Sequence, residues 1–111
     1  MKDDRLYLIN IQESIERIEE YTQDGKDVFL KDKKTQDAVL RNLHTLAESS
    51  QRISNQLKER NPEVDWRTLS AFRNVVVHDY LGISLEQIWD IVENDLPDLK
   101  ENIGSILKTF E

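Results

Sequence analysis

The 111-residue chain contains no cysteine, which excludes disulfides, thiolate zinc sites and a cysteine nucleophile and fits a reducing compartment. Glycine and proline are scarce, three and two in number, so little in the chain interrupts helices or supplies the turns of an all-β fold. No stretch approaches the roughly 20 consecutive apolar residues that cross a bilayer. The opening MKDDRLYLIN is too acidic and polar for a secretion signal, and a cytoplasmic location is expected. Basic residues are outnumbered, 15 Lys and Arg against 22 Asp and Glu, for a net charge of -7. That balance argues against holding nucleic acid on a generalised positive surface and leaves only a local basic site.

What is present is helical periodicity. Leu8, Ile11, Ile15 and Ile18 recur at steps of three and four, which predicts a first helix from Asp3 to about Thr22, closed by Asp24-Gly25. A short helical turn is expected at Val28 to Leu30, inside a mixed-charge connection, DGKDVFLKDKK, that reads as solvated. Asp32 is placed to cap a long helix running to about Arg60, with Val39, Leu43, Leu46, Ile53 and Leu57 along its seam and Asn61-Pro62 as its stop. That seam has heptad spacing that could equally serve a contact between subunits. A third helix should begin at Asp65 and run, with Trp66, Leu69, Phe72 and Val76 on one side, to Gly82. Ser84 and Gln87 form a capping-box pattern for a fourth helix carrying Leu85, Ile88 and Val92, and Pro97 should kink or restart it. Leu99, Ile103, Ile106 and Phe110 follow. One domain over residues 1-111, all-α, packed as a four- to five-helix antiparallel up-and-down bundle, is the expectation.

The stretch RNVVVHDY, Arg73 to Tyr80, sets three polar heads around three valines. On a helix, Arg73 and His78 lie about 140° and about 7.5 Å apart, while Arg73 and Tyr80 return to nearly the same face. Three β-branched valines could instead form a strand, but no convincing partner strand exists elsewhere. The long arginine stem can bend toward the imidazole, so the three heads could line one cleft or meet their counterparts across a dimer axis. Such a trio suits RNA cleavage by the substrate's own 2'-hydroxyl. A histidine titrating near neutrality moves the protons, and an arginine fork pairs with phosphoryl oxygens. Spacing alone leaves a structural arginine and a core histidine equally open.

Arg73, four residues, His78, one residue and Tyr80, with Asn74 directly after the arginine, resemble the signature of HEPN-domain ribonucleases and specifically the HepT-like toxins. The likeness extends in order and spacing through DDRLYLINIQESIERIEEYT, KTQDAVLRNLHTLAES and NPEVDWRTLSAFRNVVVHDYLGISLEQIWDIVENDLPDLKENI. It implies a HEPN bundle forming a homodimer with both motifs at a shared cleft, and metal-independent endoribonuclease activity without a cofactor. It further implies a type VII toxin-antitoxin pairing, in which an MNT-type nucleotidyltransferase antitoxin transfers AMP to Tyr80. By this resemblance Arg73 stabilises the transition-state phosphate, His78 is general base or acid, and Asn74 orients the site. Glu48 in LAES stands where the family often has glutamate, so it could approach the cleft and support the site, or be a solvated helix residue. Ala71-Phe72 and Leu81 depart from the usual pattern and bear on the shape of the cleft. The alternative is a non-catalytic helical subunit that accompanies or regulates the nucleotidyltransferase.

Other features are weaker. His44 and His78 lack paired ligand spacing such as His-x3-His, so no metal site is expected, and His44 reads as a surface or dimer-interface residue. Trp66 and Trp89 could stack on bases but sit on apolar helical phases, which favours the core. Arg41, Arg52 and Arg67 could extend a basic lining for RNA, or be ordinary surface arginines.

Overall fold

The structure is a computed structural model that describes residues 3-77 and 84-110, the side chains of residues 74-77 excepted. Its described residues are helical, without strands: α1 (Asp4–Tyr21), α2 (Lys26–Lys31), α3 (Lys33–Gln51), α4 (Asn55–Arg60), α5 (Trp66–Val77), α6 (Leu85–Asp90), a π-helical turn (Ile91–Asp95) and α7 (Leu96–Lys108). The last three form one continuous rod, so four long helices and two short ones make an all-α bundle.

The stripe on α1 is fully buried at Leu8, Ile11, Ile15 and Ile18, as are Val39, Leu43 and Leu46 on α3. α3 packs between α1 and α5, and α7 covers the other flank of α1. Two long-range contacts fix the directions. Asp4 at the start of α1 meets Ser54 just beyond the end of α3, so those helices run antiparallel. Lys100 of α7 reaches Glu19 near the end of α1 at 2.9 Å, while Gly104 lies beside Gln12, so α7 also runs against α1. Burial of the α3 seam inside one chain corrects the expectation that it could serve an inter-subunit coil.

Local chemistry sets most boundaries. α1 ends where the Thr22 hydroxyl donates to the Ile18 carbonyl at 2.7 Å. Gly25 then takes φ 94 and ψ -179, a region essentially restricted to glycine. Asp65 caps α5, accepting from the Thr68 N–H at 3.0 Å and the Thr68 hydroxyl at 2.7 Å; the hydroxyl bond in particular holds its carboxyl below the usual range. The Ser84–Gln87 capping box forms in both directions. Pro97 removes one helical donor, and the rod absorbs the loss by widening: the Leu96 N–H bonds to the Ile91 carbonyl, five residues back.

Other expectations are corrected. The long second helix does not reach Arg60; it stops at Gln51, and α4 starts afresh at Asn55. The Ser54 hydroxyl accepts the Leu57 N–H at 3.2 Å, while its own N–H and hydroxyl donate to the two oxygens of buried Asp4 at 2.9 and 2.6 Å. A carboxylate thus holds the break from outside. The connection read as solvated carries Phe29, fully buried against the Trp89 ring at a centroid distance of 5.5 Å. Gln36 secures that turn by donating to the Phe29 carbonyl at 2.9 Å. Trp89 is core, whereas Trp66 is half-buried, its indole N–H donating to the Asn61 carbonyl at 3.0 Å. Phe110 is exposed because α7 ends at Lys108, before that residue can return to the core face. Gly82 lies outside the described residues, as does the side chain of Val76.

Two buried polar groups should behave oppositely on truncation. Asp4→Ala leaves the Ser54 N–H and hydroxyl without their acceptor and is expected to cost about 1–3 kcal/mol in urea unfolding. The Ser14 hydroxyl on α1 is fully buried with no partner among the described residues, so Ser14→Ala should be neutral or stabilising by up to about 1 kcal/mol. Equal losses for the two variants would contradict both assignments.

Candidate functional site

The described part of the site lies where α5 crosses α3. On α3, His44 and Glu48 stand one turn apart, with Gln51 three residues further on. The apolar phase of α5, anchored by Leu69 and Phe72 in the core, turns Arg73 toward that face of α3. Its Nε forms an ion pair with Glu48 Oε2 at 3.0 Å, and its Nη1 donates a long hydrogen bond to Gln51 Oε1 at 3.4 Å. The same glutamate oxygen lies 3.6 Å from His44 Nε2. One carboxylate is therefore shared by a guanidinium and an imidazole.

Exposure decides what this cluster can do. The Arg73 and Glu48 side chains are 47% and 35% exposed, and a pair so open to water is worth about 0–1 kcal/mol. Such a pair orients the guanidinium without committing it. With its side chain half exposed, Arg73 keeps guanidinium donors within reach of an incoming oxyanion. A phosphoryl group offers bidentate geometry and could compete with Glu48 for the same fork.

Of the residues singled out from sequence, Arg73 and Glu48 are in direct contact. His78 and Tyr80 lie outside the described residues, and nothing is described of the Asn74 side chain. Arg41 is exposed on the same side of α3 as Glu48, since seven residues return to within about 20°. Arg67 is exposed six residues before Arg73, about 120° away around α5. The sequence reading does not single out Gln51, nor the proximity of His44 to Glu48. The signal was available in the spacing 44, 48, 51, which keeps all three on one helical face once Glu48 is considered.

A cavity of about 380 Å³ opens elsewhere, between the start of α5 and the start of α7, with Val64, Leu69, Phe72 and Leu99 among its lining. Glu63, Asp65, Asp95, Asp98 and Glu101 also line it. Desolvation first, and then the neighbouring Asp90, Asp98 and Asp65 charges, push the Asp95 carboxyl above its ordinary range. Carboxylates that already repel one another make this hollow unsuited to a phosphodiester, which points back to the Arg73 face. Among the described residues no three His, Asp or Glu side chains are grouped to hold a metal ion, and no helix is long and apolar enough to cross a membrane.

Comparison with known proteins gives the geometry its family. A domain profile described as Ribonuclease HepT-like matches residues 11–106. "Probable ribonuclease HepT" of Thermococcus cleftensis is 40% identical over 103 residues, covering 92% of this chain and 94% of that protein. A Methanocaldococcus jannaschii protein with a provisional RNase name is 39% identical over 111 residues, covering 99% of this chain and 92% of its own. A second from that organism, named as a gamma-glutamylcyclotransferase joined to a provisional RNase, is 35% identical over 111 residues. The match covers 99% of this chain and 50% of that longer protein. No solved structure gives a significant match. The all-α bundle, the Arg73-bearing motif and a profile spanning most of the chain agree: it belongs to the HepT-like ribonuclease family.

Proposed function

We propose that this chain is a metal-independent endoribonuclease acting as a homodimeric toxin, silenced by AMP transfer to Tyr80 from an MNT-type nucleotidyltransferase partner. The observation that carries the catalytic half is the half-exposed guanidinium of Arg73, oriented by Glu48 and Gln51 at the head of the Arg-x4-His-x-Tyr motif.

In the proposed reaction His78, or its counterpart in a second copy, takes the proton from a ribose 2'-hydroxyl. The resulting oxygen attacks the adjacent phosphorus, and the bond to the 5'-oxygen breaks. A protonated imidazole returns a proton to that leaving oxygen, so the products are a 2',3'-cyclic phosphate and a 5'-hydroxyl. Arg73 meets the charge that grows on the phosphoryl oxygens in the pentacoordinate state, and Glu48 holds the fork ready until substrate displaces it. Asn74 orients the site. AMP joined to the Tyr80 oxygen, with pyrophosphate leaving from ATP, would bring an anionic phosphodiester and a nucleoside to the motif and compete for the same guanidinium.

Purified protein incubated with total RNA in EDTA should generate fragments ending in 2',3'-cyclic phosphate, and His78→Ala should lower the rate by about 10²–10⁴. Equal cutting by both proteins would remove His78 from the mechanism; growth unharmed by expression without the partner, with no RNA fragments, would favour a non-catalytic subunit. Incubation with the nucleotidyltransferase and ATP should add AMP mass to the intact wild type and none to Tyr80→Phe. Mass added to the phenylalanine variant would move the modification elsewhere.

A further inference from the structure

A chain of net charge -7 has to attract a polyanion, and the distribution of its charges supplies a route. We propose that the outward face of α3 is the docking track for the RNA strand, with Lys34 and Arg41 binding phosphates on one side of Arg73 and Arg52, at the helix's C-terminal cap, on the other. This rests on the ribonuclease reading and names the surface that would feed that site.

The track follows from helical phase. Taking Glu48 as the reference direction, Arg41 lies about 20° from it, and Lys34 and Arg52 each lie about 40° from it. All three are exposed. The buried residues Val39, Leu43, Leu46 and Ala47 occupy the remaining arc against α1 and α5, so the cations share one solvent-facing stripe. From Lys34 to Arg52 that stripe is about 27 Å long at 1.5 Å per residue, and Arg73 of α5 joins it at Glu48 and Gln51.

Charge on this face is segregated from the rest of the chain. Two carboxylates share it, and each has a cationic neighbour: Asp37 sits 3.7 Å from Lys33, and Glu48 sits 3.0 Å from Arg73. Five Lys and Arg residues against two acids leave the face with a local balance of +3 in a chain of -7. The acidic excess gathers elsewhere, notably the five carboxylates lining the cavity between α5 and α7. That distribution repels a phosphate backbone from one region and admits it along the other. Backbone binding of this kind is independent of base sequence, as an electrostatic groove for single strands requires.

Binding can be separated from cutting with a labelled 2'-O-methyl oligouridylate, which lacks the nucleophilic hydroxyl, read by fluorescence anisotropy across a salt series. Single-strand contacts obey a slope of about -0.7 per phosphate. Lys34→Glu with Arg41→Glu should therefore flatten the salt slope by about 1.4 and weaken binding about 25-fold at 0.1 M salt. Arg60→Glu with Lys108→Glu makes the same change in net charge at exposed positions off the track, and should change affinity no more than about threefold on the same scale. Equal losses in the two double variants, an unchanged affinity in the first, or no measurable binding by the wild type would each overturn the track. Circular dichroism guards against misfolding, and Arg41→Gln alone, expected to lose about fivefold, repeats the test without charge reversal. Cleavage of unmodified RNA by the same proteins distinguishes the two readings. Binding as expected without any cutting would remove the nuclease and keep the track, whereas cutting with the binding arm failed would do the opposite.

Discussion

Helix α3 is the constraint from which the rest follows. Its inner side, Val39, Leu43, Leu46 and Ala47, is fully buried, and it is the helix on which both α1 and α5 pack. A helix clamped on two sides has one direction left open to water, and that direction carries His44, Glu48 and Gln51. The phase of α5 against it then decides where Arg73 emerges. The arginine meets Glu48 because Leu69 and Phe72 are committed to the core, so packing positions the chemistry before any polar contact contributes.

Local signals were readable and distant ones were not. The caps at Asp65 and Ser84 are written within four residues of themselves, and both form as the spacing predicts. The consequence of Pro97 was readable in kind, a missing donor, although its resolution as a widened turn depends on how the rod packs. The break after Gln51 was illegible for a physical reason. Leu57 and Ile53 keep helical phase with α3 and are buried as expected, but the acceptor that rewards breaking the helix is Asp4, 50 residues away. Phe29 misled in the same way: its flanking charges are solvated while the ring itself finds Trp89.

The site divides along the same line. Arg73 stood out because an arginine beside valines is unusual, and Glu48 entered through the family resemblance. The resemblance lets Glu48 approach the cleft, but neither route names Arg73 as the residue it meets. The pairing of residues 48 and 73 is a property of two helices crossing, and no spacing within one helix encodes it. His44 had no signal of its own, since a lone histidine on a charged helix is ordinary. Only its position one turn from Glu48 gives it meaning.

The weakness of the Arg73–Glu48 pair suits the proposed chemistry better than strength would. A buried arginine–carboxylate pair resists separation, because breaking it leaves an uncompensated charge at a cost of several kcal/mol. Substrate would have to supply that energy before any of it lowered the barrier. With both side chains open to water the partner costs little to displace, while the stem of Arg73 is still held by α5 and the fork still aimed by Glu48. The incoming phosphate would exchange one anion for another at a guanidinium that is already oriented, and charge appearing only in the pentacoordinate state would strengthen the new contact just when the reaction needs it. In the proposed reaction Glu48 would act as a placeholder, negative enough to direct the arginine and exposed enough to release it.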